Sequence, residues 1–144
     1  MVWAVLVVVL GGVAVAVQAP INAALGRELG AVFLAAAVSS GVGFLVLAGV
    51  SVISGQSGAI LKLGAVPPWT LAGGALGAVY VLSAIWGVSA LGVVTMVAAL
   101  VLGQMAAAMV IDATGILGMA AREVSLQRIA AAALVAAGLI LSRL

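Results

Sequence analysis

The sequence predicts an all-α integral membrane protein, and three observations support this fold class. Hydrophobic residues make up 67% of the chain and charged residues only 6%, whereas an ordinary globular chain carries about a quarter charged residues. The apolar runs are continuous rather than alternating, which favours helices over the strands of a membrane barrel. Runs of roughly 20 apolar residues are long enough to cross a bilayer core as one helix. We predict one membrane domain over residues 1–144, with transmembrane helices at about 2–25, 31–54, 69–89, 91–112 and 124–142.

The composition also excludes several classes of function. The chain has no Cys and no His, so it lacks thiolate nucleophiles and the usual zinc or haem ligands, and we expect no metal and no cofactor. Its 5 basic and 3 acidic residues are too few for a nucleic-acid-binding surface. No apolar segment holds a pair of carboxylates for acid–base catalysis, so we do not expect an enzyme.

The first helix carries two amides in its C-terminal third. Gln18 and Asn22 are one helical turn apart, which places both side chains on one face. Pro20 lies between them, removes one backbone hydrogen bond and favours a kink or a local opening. Two interpretations stay open: the amides satisfy freed backbone groups or a neighbouring helix, or they line a polar path.

The second helix is rich in Ala, Gly and Ser, and Ser39, Ser40 and Gly41 favour close contact with another helix. In the loop that follows, apolar residues on both sides of Lys62 indicate that the loop dips into the membrane interface. Trp69, directly after two prolines, marks the start of the third helix at the level of the lipid headgroups.

The third helix has a broad stripe of small and polar residues. Gly73 and Gly77 form a small-xxx-small pair, which predicts close helix packing. Tyr80 and Ser83 continue the stripe. The Tyr80 hydroxyl bonds either a neighbouring backbone carbonyl or a substrate, and the sequence leaves both interpretations open.

The fourth helix holds Gln104 in its second half and Asp112 at its end, within about a quarter turn of each other around the axis. Gly103 lies on the adjoining strip and permits close helix packing. A carboxylate at a helix C-terminus is unfavourable unless something compensates it. The candidates are Arg122, Arg128, a water-filled path or a partner subunit.

The positive residues barely bias the orientation in the membrane. Five spans would place three basic residues on the N-terminal side and two on the other, namely Lys62, Arg122 and Arg128 against Arg27 and Arg143. Such a balance is expected if both orientations are made or if an inverted partner subunit lies alongside. An antiparallel pair would supply two inverted repeats, a recurring transporter plan. The alternative is that a short hydrophobic chain simply has few charges and that Arg122 with Arg128 suffices.

Three segments resemble a known family: Gln18-Ala-Pro-Ile-Asn22, Gly73-Gly-Ala-Leu-Gly-Ala-Val-Tyr80, and Gly103-Gln104 with Asp112, Gly115 and Gly118. They resemble the YdcZ-type family of the drug/metabolite transporter superfamily, short five-helix proteins of the bacterial cytoplasmic (inner) membrane. The resemblance implies one half of a ten-helix, EamA-like inverted-repeat transporter that works as an antiparallel homodimer or with a paired inverted homologue. It also implies that the polar positions in these segments are functional, namely Gln18, Asn22, Tyr80, Gln104 and Asp112.

Together these features predict a small-solute exporter subunit in the lipid bilayer, with the substrate path at the dimer interface. Five side chains would hydrogen-bond the small-molecule substrate: Gln18, Asn22, Tyr80, Ser83 and Gln104. Asp112 would gate the path or form a salt bridge near a surface. The first helix has no carboxylate, which favours neutral or amphipathic substrates over proton–cation exchange. The alternative is a non-transporting structural subunit, in which Gln18, Asn22 and Gln104 are consumed in helix contacts instead of converging on a cavity.

Overall fold

The computed structural model describes residues 2–143, and all regular structure in that range is helical. The α-helices are α1 (Val2–Leu29), α2 (Val32–Ile53), α3 (Ala72–Leu91), α4 (Val93–Thr114) and α5 (Leu126–Leu141). Short 3₁₀ helices lie in the connections at Ser57–Ala65, Pro68–Leu71 and Ile116–Gly118. The prediction of an all-α membrane protein is confirmed at this level.

Four helical segments in the described range are long and apolar enough to cross a membrane: Val2–Leu29, Val32–Ile53, Pro68–Leu91 and Val93–Thr114. Helix α5 is apolar but has only 16 residues, which corresponds to about 24 Å against a hydrocarbon core of about 30 Å. It begins at Leu126 rather than at the predicted residue 124, and residues 119–125 before it have no regular structure. A fifth span therefore stays a prediction.

Helix α1 continues past its predicted end at residue 25 because Gly30, rather than Gly26, ends it. Gly30 has a φ of +61°, a left-handed conformation that glycine adopts without steric cost. Its N–H donates to the carbonyl of Arg27 at 3.2 Å, and the N–H of Ala31 donates to the carbonyl of Gly26 at 3.1 Å. These two bonds form a Schellman motif. The helix continues through Pro20, and the kink or local opening expected there stays a prediction.

Helix α4 also ends at a glycine in the left-handed conformation. Gly115 has a φ of +64°, and its N–H donates to the carbonyl of Ile111 at 2.9 Å, which is the single-bond left-handed cap. A Cβ at this position would lie 3.2 Å from the Cβ of Ala121, tighter than an ordinary contact. Glycine is therefore favoured here for two reasons. It adopts the positive φ without strain, and it has no side chain to crowd Ala121, where the chain passes back.

The chain divides into two compact units, the first ending at Ser89 and the second beginning at Ala90. In the first unit, α1 and α2 form a hairpin, and Ala23, Ala36 and Ile85 form a buried cluster. The second unit is the hairpin of α4 and α5. That the whole chain behaves as a single membrane domain stays a prediction.

Candidate substrate groove and the polar pairs of the second hairpin

A groove of about 660 Å³ lies between α1 and α2, within the first unit. Its polar lining consists of Gln18, Asn22 and Ser39. The remaining lining side chains are aliphatic or absent: Ala14, Val17, Ile21, Leu25, Val38, Val42 and Gly43. We call this feature the α1–α2 groove. It brings together the two amides that the sequence singled out in the first helix.

Asn22 is buried but has no hydrogen-bond partner in the part of the chain that the structure describes. The residue is only 5% exposed, and its amide takes part in none of the side-chain hydrogen bonds among residues 2–143. No side-chain nitrogen or oxygen in this range is both sealed from solvent and unpaired, so the Asn22 amide opens onto the groove. An amide left unpaired in hydrocarbon is costly. A polar group in the groove that hydrogen-bonds the Asn22 amide would remove this cost.

Small neighbours, rather than a bond of its own, explain why Asn22 is buried. Ala19, Ala23 and Gly26 of α1 are buried beside it, and they face Ala35 and Ala36, the buried residues of α2. Small side chains let two helix backbones approach closely. A Cβ added at Gly26 would lie 3.7 Å from the Cβ of Ala35. Asn22 lies at the border of this tight contact, with its amide turned to the groove.

The other predicted substrate contacts are placed elsewhere. Tyr80 is half-buried and Ser83 is exposed on α3, and neither belongs to the lining of the α1–α2 groove. Gln104 is exposed on α4, in the second unit. Of the predicted polar set, the structure of one copy therefore brings together only Gln18 and Asn22.

The glycines predicted to mediate close helix packing face open space. A Cβ built at Gly73, Gly77 or Gly103 would meet no atom within 4 Å in the described residues. Within the described residues, no close contact is made through these positions, and their role in helix packing stays a prediction.

Asp112 forms an ion pair within the second unit. Nη1 of Arg128 donates to Oδ2 of Asp112 at 2.6 Å, and the two side chains are 38% and 30% exposed, respectively. The main-chain carbonyl of Asp112 accepts a second bond, from the N–H of Arg122 at 2.6 Å. Of the compensating partners that the sequence suggested, Arg128 supplies the side-chain charge and Arg122 supplies a backbone donor.

The helix dipoles explain why these two charges need each other. Asp112 lies in the last turn of α4, where the dipole disfavours a negative charge, and Arg128 lies in the first turn of α5, where it disfavours a positive one. Each residue alone is therefore badly placed. As a pair they cancel both penalties and join the end of α4 to the start of α5.

A second polar pair joins the opposite end of this hairpin. Oγ of Ser142 donates to Oγ1 of Thr95 at 3.1 Å, and the Thr95 hydroxyl donates to the main-chain carbonyl of Ser142 at 3.3 Å. Thr95 is only 5% exposed. The α4–α5 hairpin is thus held by polar contacts at both ends.

The whole chain apart from its extreme ends matches one family model. The match covers residues 3–141 and carries the description "Putative inner membrane exporter, YdcZ". The chain belongs to the YdcZ family. It is a multi-pass protein of the inner membrane, as its apolar helices of spanning length also indicate. No curated protein and no solved structure is significantly similar to it.

The YdcZ family is described as an exporter family, not as a family of enzymes. Within this YdcZ-family chain, sequence reasoning treated Ser39 only as a packing residue and did not identify Thr95 or Ser142. Hydroxyl residues are common in membrane helices, so their presence alone gives no signal. The Thr95–Ser142 pair spans 47 positions of sequence, and only the folded hairpin shows it.

Proposed function

We propose that this YdcZ-family protein exports a small, uncharged, amphipathic solute, as an antiparallel dimer with the substrate path at the dimer interface. One observation carries the proposal: the buried amide of Asn22 has no hydrogen-bond partner in the described chain and opens onto the α1–α2 groove. Polar side chains inside a membrane are costly, and those without a structural partner are candidates for substrate contact.

The lining of the groove indicates the chemistry of the solute. Gln18 and Asn22 each offer one carbonyl acceptor and an NH₂ donor group, and Ser39 adds a hydroxyl. None of the described residues that line the groove is charged, and its walls are aliphatic. A neutral solute would bond the two amides with its polar end and lay its apolar part against side chains such as Val17 and Ile21.

A second, inverted copy would complete the path. The α1–α2 groove is open on one side, and a Cβ built at Gly73, Gly77 or Gly103 meets no atom of the described residues within 4 Å. The nearly even distribution of basic residues is compatible with insertion in both orientations. In such a dimer, Tyr80, Ser83 and Gln104 would add to the polar lining, and the two inverted repeats would match a recurring transporter plan.

Asp112 would act in this dimer as a positioning residue rather than a substrate contact. Its carboxylate is already engaged by Arg128 at 2.6 Å, and its place at the end of α4 is near the membrane surface rather than at the depth of Gln104. The pair would hold the α4–α5 hairpin in a fixed arrangement while the substrate moves past other residues.

Cysteine accessibility tests the groove without knowledge of the substrate. The chain has no cysteine, so Gln18→Cys and Asn22→Cys each give a single reactive site. We expect both to react with a water-soluble thiosulfonate reagent, because a solute path admits water. Val7→Cys, at a residue that is 66% exposed on the apolar half of α1, is the matched control and should be shielded by lipid. Equal protection at all three positions would instead support a structural subunit whose groove is filled by another helix or by lipid.

Labelling of the C-terminus tests the antiparallel arrangement. A single cysteine appended after residue 144 should be labelled from both sides of intact membranes in comparable amounts if the protein inserts in both orientations. Labelling from one side only would contradict the homodimer and leave a paired inverted homologue as the required partner.

A further inference from the structure

The connection between α2 and α3 differs from an ordinary water-exposed loop. It contains the 3₁₀ helix Ser57–Ala65 and continues into the 3₁₀ helix Pro68–Leu71, which begins the next apolar segment. It therefore joins two helical segments that are long and apolar enough to cross a membrane, Val32–Ile53 and Pro68–Leu91. Because both segments end here, the connection lies at one surface of the bilayer. We call residues 57–71 the α2–α3 connection.

One side of the first 3₁₀ helix is folded back along α2. Residues three apart eclipse each other in a 3₁₀ helix, so Ser57, Ile60 and Leu63 form one stripe. This stripe lines a pocket of about 430 Å³ together with Phe44, Ala48 and Val52 of α2. These α2 residues belong to roughly its last three turns. The connection therefore lies beside the end of the span and does not project away from it.

On the other two stripes of this helix, Ala59 also lines the pocket, whereas Leu61 and Lys62 do not. Leu61 is 88% exposed and lies on the stripe next to that of Lys62, which is also exposed. Trp69, in the second 3₁₀ helix, is 59% exposed. Contact of such apolar side chains with water is unfavourable. At a bilayer boundary, the same side chains gain contact with lipid.

The charge of the connection indicates which lipid it would meet. Lys62 is the sole charged residue between Glu28 and Asp112, so no carboxylate of the connection or of its flanking helices competes for it. A lysine near a bilayer surface prefers anionic headgroups by about fivefold. The adjacent Leu61 would keep the lysine stem at the boundary while the ammonium reaches the phosphates.

We propose that the α2–α3 connection is a membrane-surface anchor that binds anionic phospholipid headgroups. Leu61 enters the boundary of the acyl chains, Lys62 contacts the lipid phosphate, and Trp69 lies at the headgroup level. This contact sets the depth of α2 and α3 in the bilayer. It uses none of the residues of the α1–α2 groove, so it is independent of the proposed solute path.

Depth-dependent quenching tests where the connection lies. The single-cysteine variant Leu61→Cys carries an environment-sensitive fluorophore in vesicles of phosphatidylcholine and phosphatidylglycerol. Glu28→Cys, in the exposed last turn of α1, is the aqueous control, and Val46→Cys, 60% exposed in α2, is the hydrocarbon control. We expect the Leu61 probe to resist aqueous iodide and to be quenched more by bromines near the headgroup than by bromines near the bilayer centre. The Val46 probe should show the opposite order of lipid quenching.

Brominated lipids of different charge test the headgroup preference. At equal total bromine, brominated phosphatidylglycerol should associate with the Leu61 probe about fivefold more than brominated phosphatidylcholine. The additional change Lys62→Gln should abolish this preference while leaving protection from iodide intact. Iodide access equal to that of Glu28→Cys would overturn the anchor. Protection without quenching by either lipid would show that protein covers the connection, and protection with equal quenching by both lipids would overturn the anionic contact.

Discussion

The two helical hairpins of this protein are held together in opposite ways. In the α1–α2 hairpin, the buried contact is made by small apolar residues such as Ala23 and Ala36. The side chains of Gln18 and Asn22 make no hydrogen bond within residues 2–143. In the α4–α5 hairpin, polar groups make the contacts themselves, at Thr95–Ser142 and Asp112–Arg128. In the first hairpin the polar side chains can still bond another molecule, whereas in the second they already bond each other.

This difference separates two roles that look alike in the sequence. Asn22 and Asp112 are both polar residues attached to apolar runs, and both are candidates for function by default. The structure gives Asp112 a charged partner and leaves the Asn22 amide open to a groove. Stability experiments should therefore respond to Asp112, whereas experiments on the proposed solute path should respond to Asn22.

The largest stability effect is expected at the ion pair. Asp112→Asn leaves the partly buried Arg128 without its charge partner, and the loss of a charge-assisted hydrogen bond costs about 1.5–3 kcal/mol. Unfolding in mixed micelles, followed by tryptophan fluorescence, measures this change. The exchange Asp112→Arg with Arg128→Asp is the matched control. It keeps the pair and places each charge at the helix end that favours it, so stability should equal or exceed that of the unchanged protein. An exchange variant as unstable as Asp112→Asn would contradict this account of the pair.

The next effect distinguishes a glycine inside a hairpin from a glycine on an open face. Gly26→Leu inserts a large side chain where α2 lies 3.7 Å from an added Cβ, and overpacking of this kind costs about 1–3 kcal/mol. Gly26→Ala needs only an ordinary contact and should be tolerated.

Gly77→Leu is the counterpart on the open face, because a Cβ there meets nothing within 4 Å. The fold of one copy should be unchanged, while the dimer fraction measured by cross-linking should fall. A Gly77→Leu protein that dimerises normally would show that this face of α3 contacts lipid.

A smaller effect is expected at the other end of the α4–α5 hairpin. Thr95→Val removes the bond with Ser142 but keeps the shape of the side chain, and interhelical hydrogen bonds in membranes average about 0.6 kcal/mol. The single proton of the Ser142 hydroxyl can then be donated to the carbonyl of Leu139, 2.7 Å away, which limits the cost. Thr95→Ser should preserve the bond and serve as the control. A loss well above 1.5 kcal/mol would mean that Thr95 has a further role.

The smallest stability effect is expected at Asn22. Because its amide has no partner in the described chain, Asn22→Leu removes no bond and should leave the free energy of unfolding within about 0.5 kcal/mol or raise it. Water access to the groove, reported by the Gln18→Cys thiol in the same protein, should fall because the leucine side chain is apolar. Marked destabilisation by Asn22→Leu would show that the amide is consumed in a structural contact, as a structural subunit would require.

The sequence by itself determined the class of this protein. Long apolar runs and few charges require helices that satisfy their own backbone hydrogen bonds in lipid, and the motifs around Gln18, Tyr80 and Gln104 identified the family that the match over residues 3–141 shows. Helix ends were less well predicted because Gly26 and Gly30 look alike in sequence. Only the backbone angle and bonds at Gly30 show which of them ends α1.

Only the tertiary structure shows which polar side chains have hydrogen-bond or ion-pair partners in the described chain and which have none. Arg122 and Arg128 were equivalent candidates for Asp112 in the sequence, and the fold assigns the ion pair to Arg128. Ser39 joins the groove only because α2 returns along α1. Hydrogen bonds between distant positions depend on how helices pair in space, whereas apolar length and local spacing act along the chain, and this is why the sequence determined the class but not the partners.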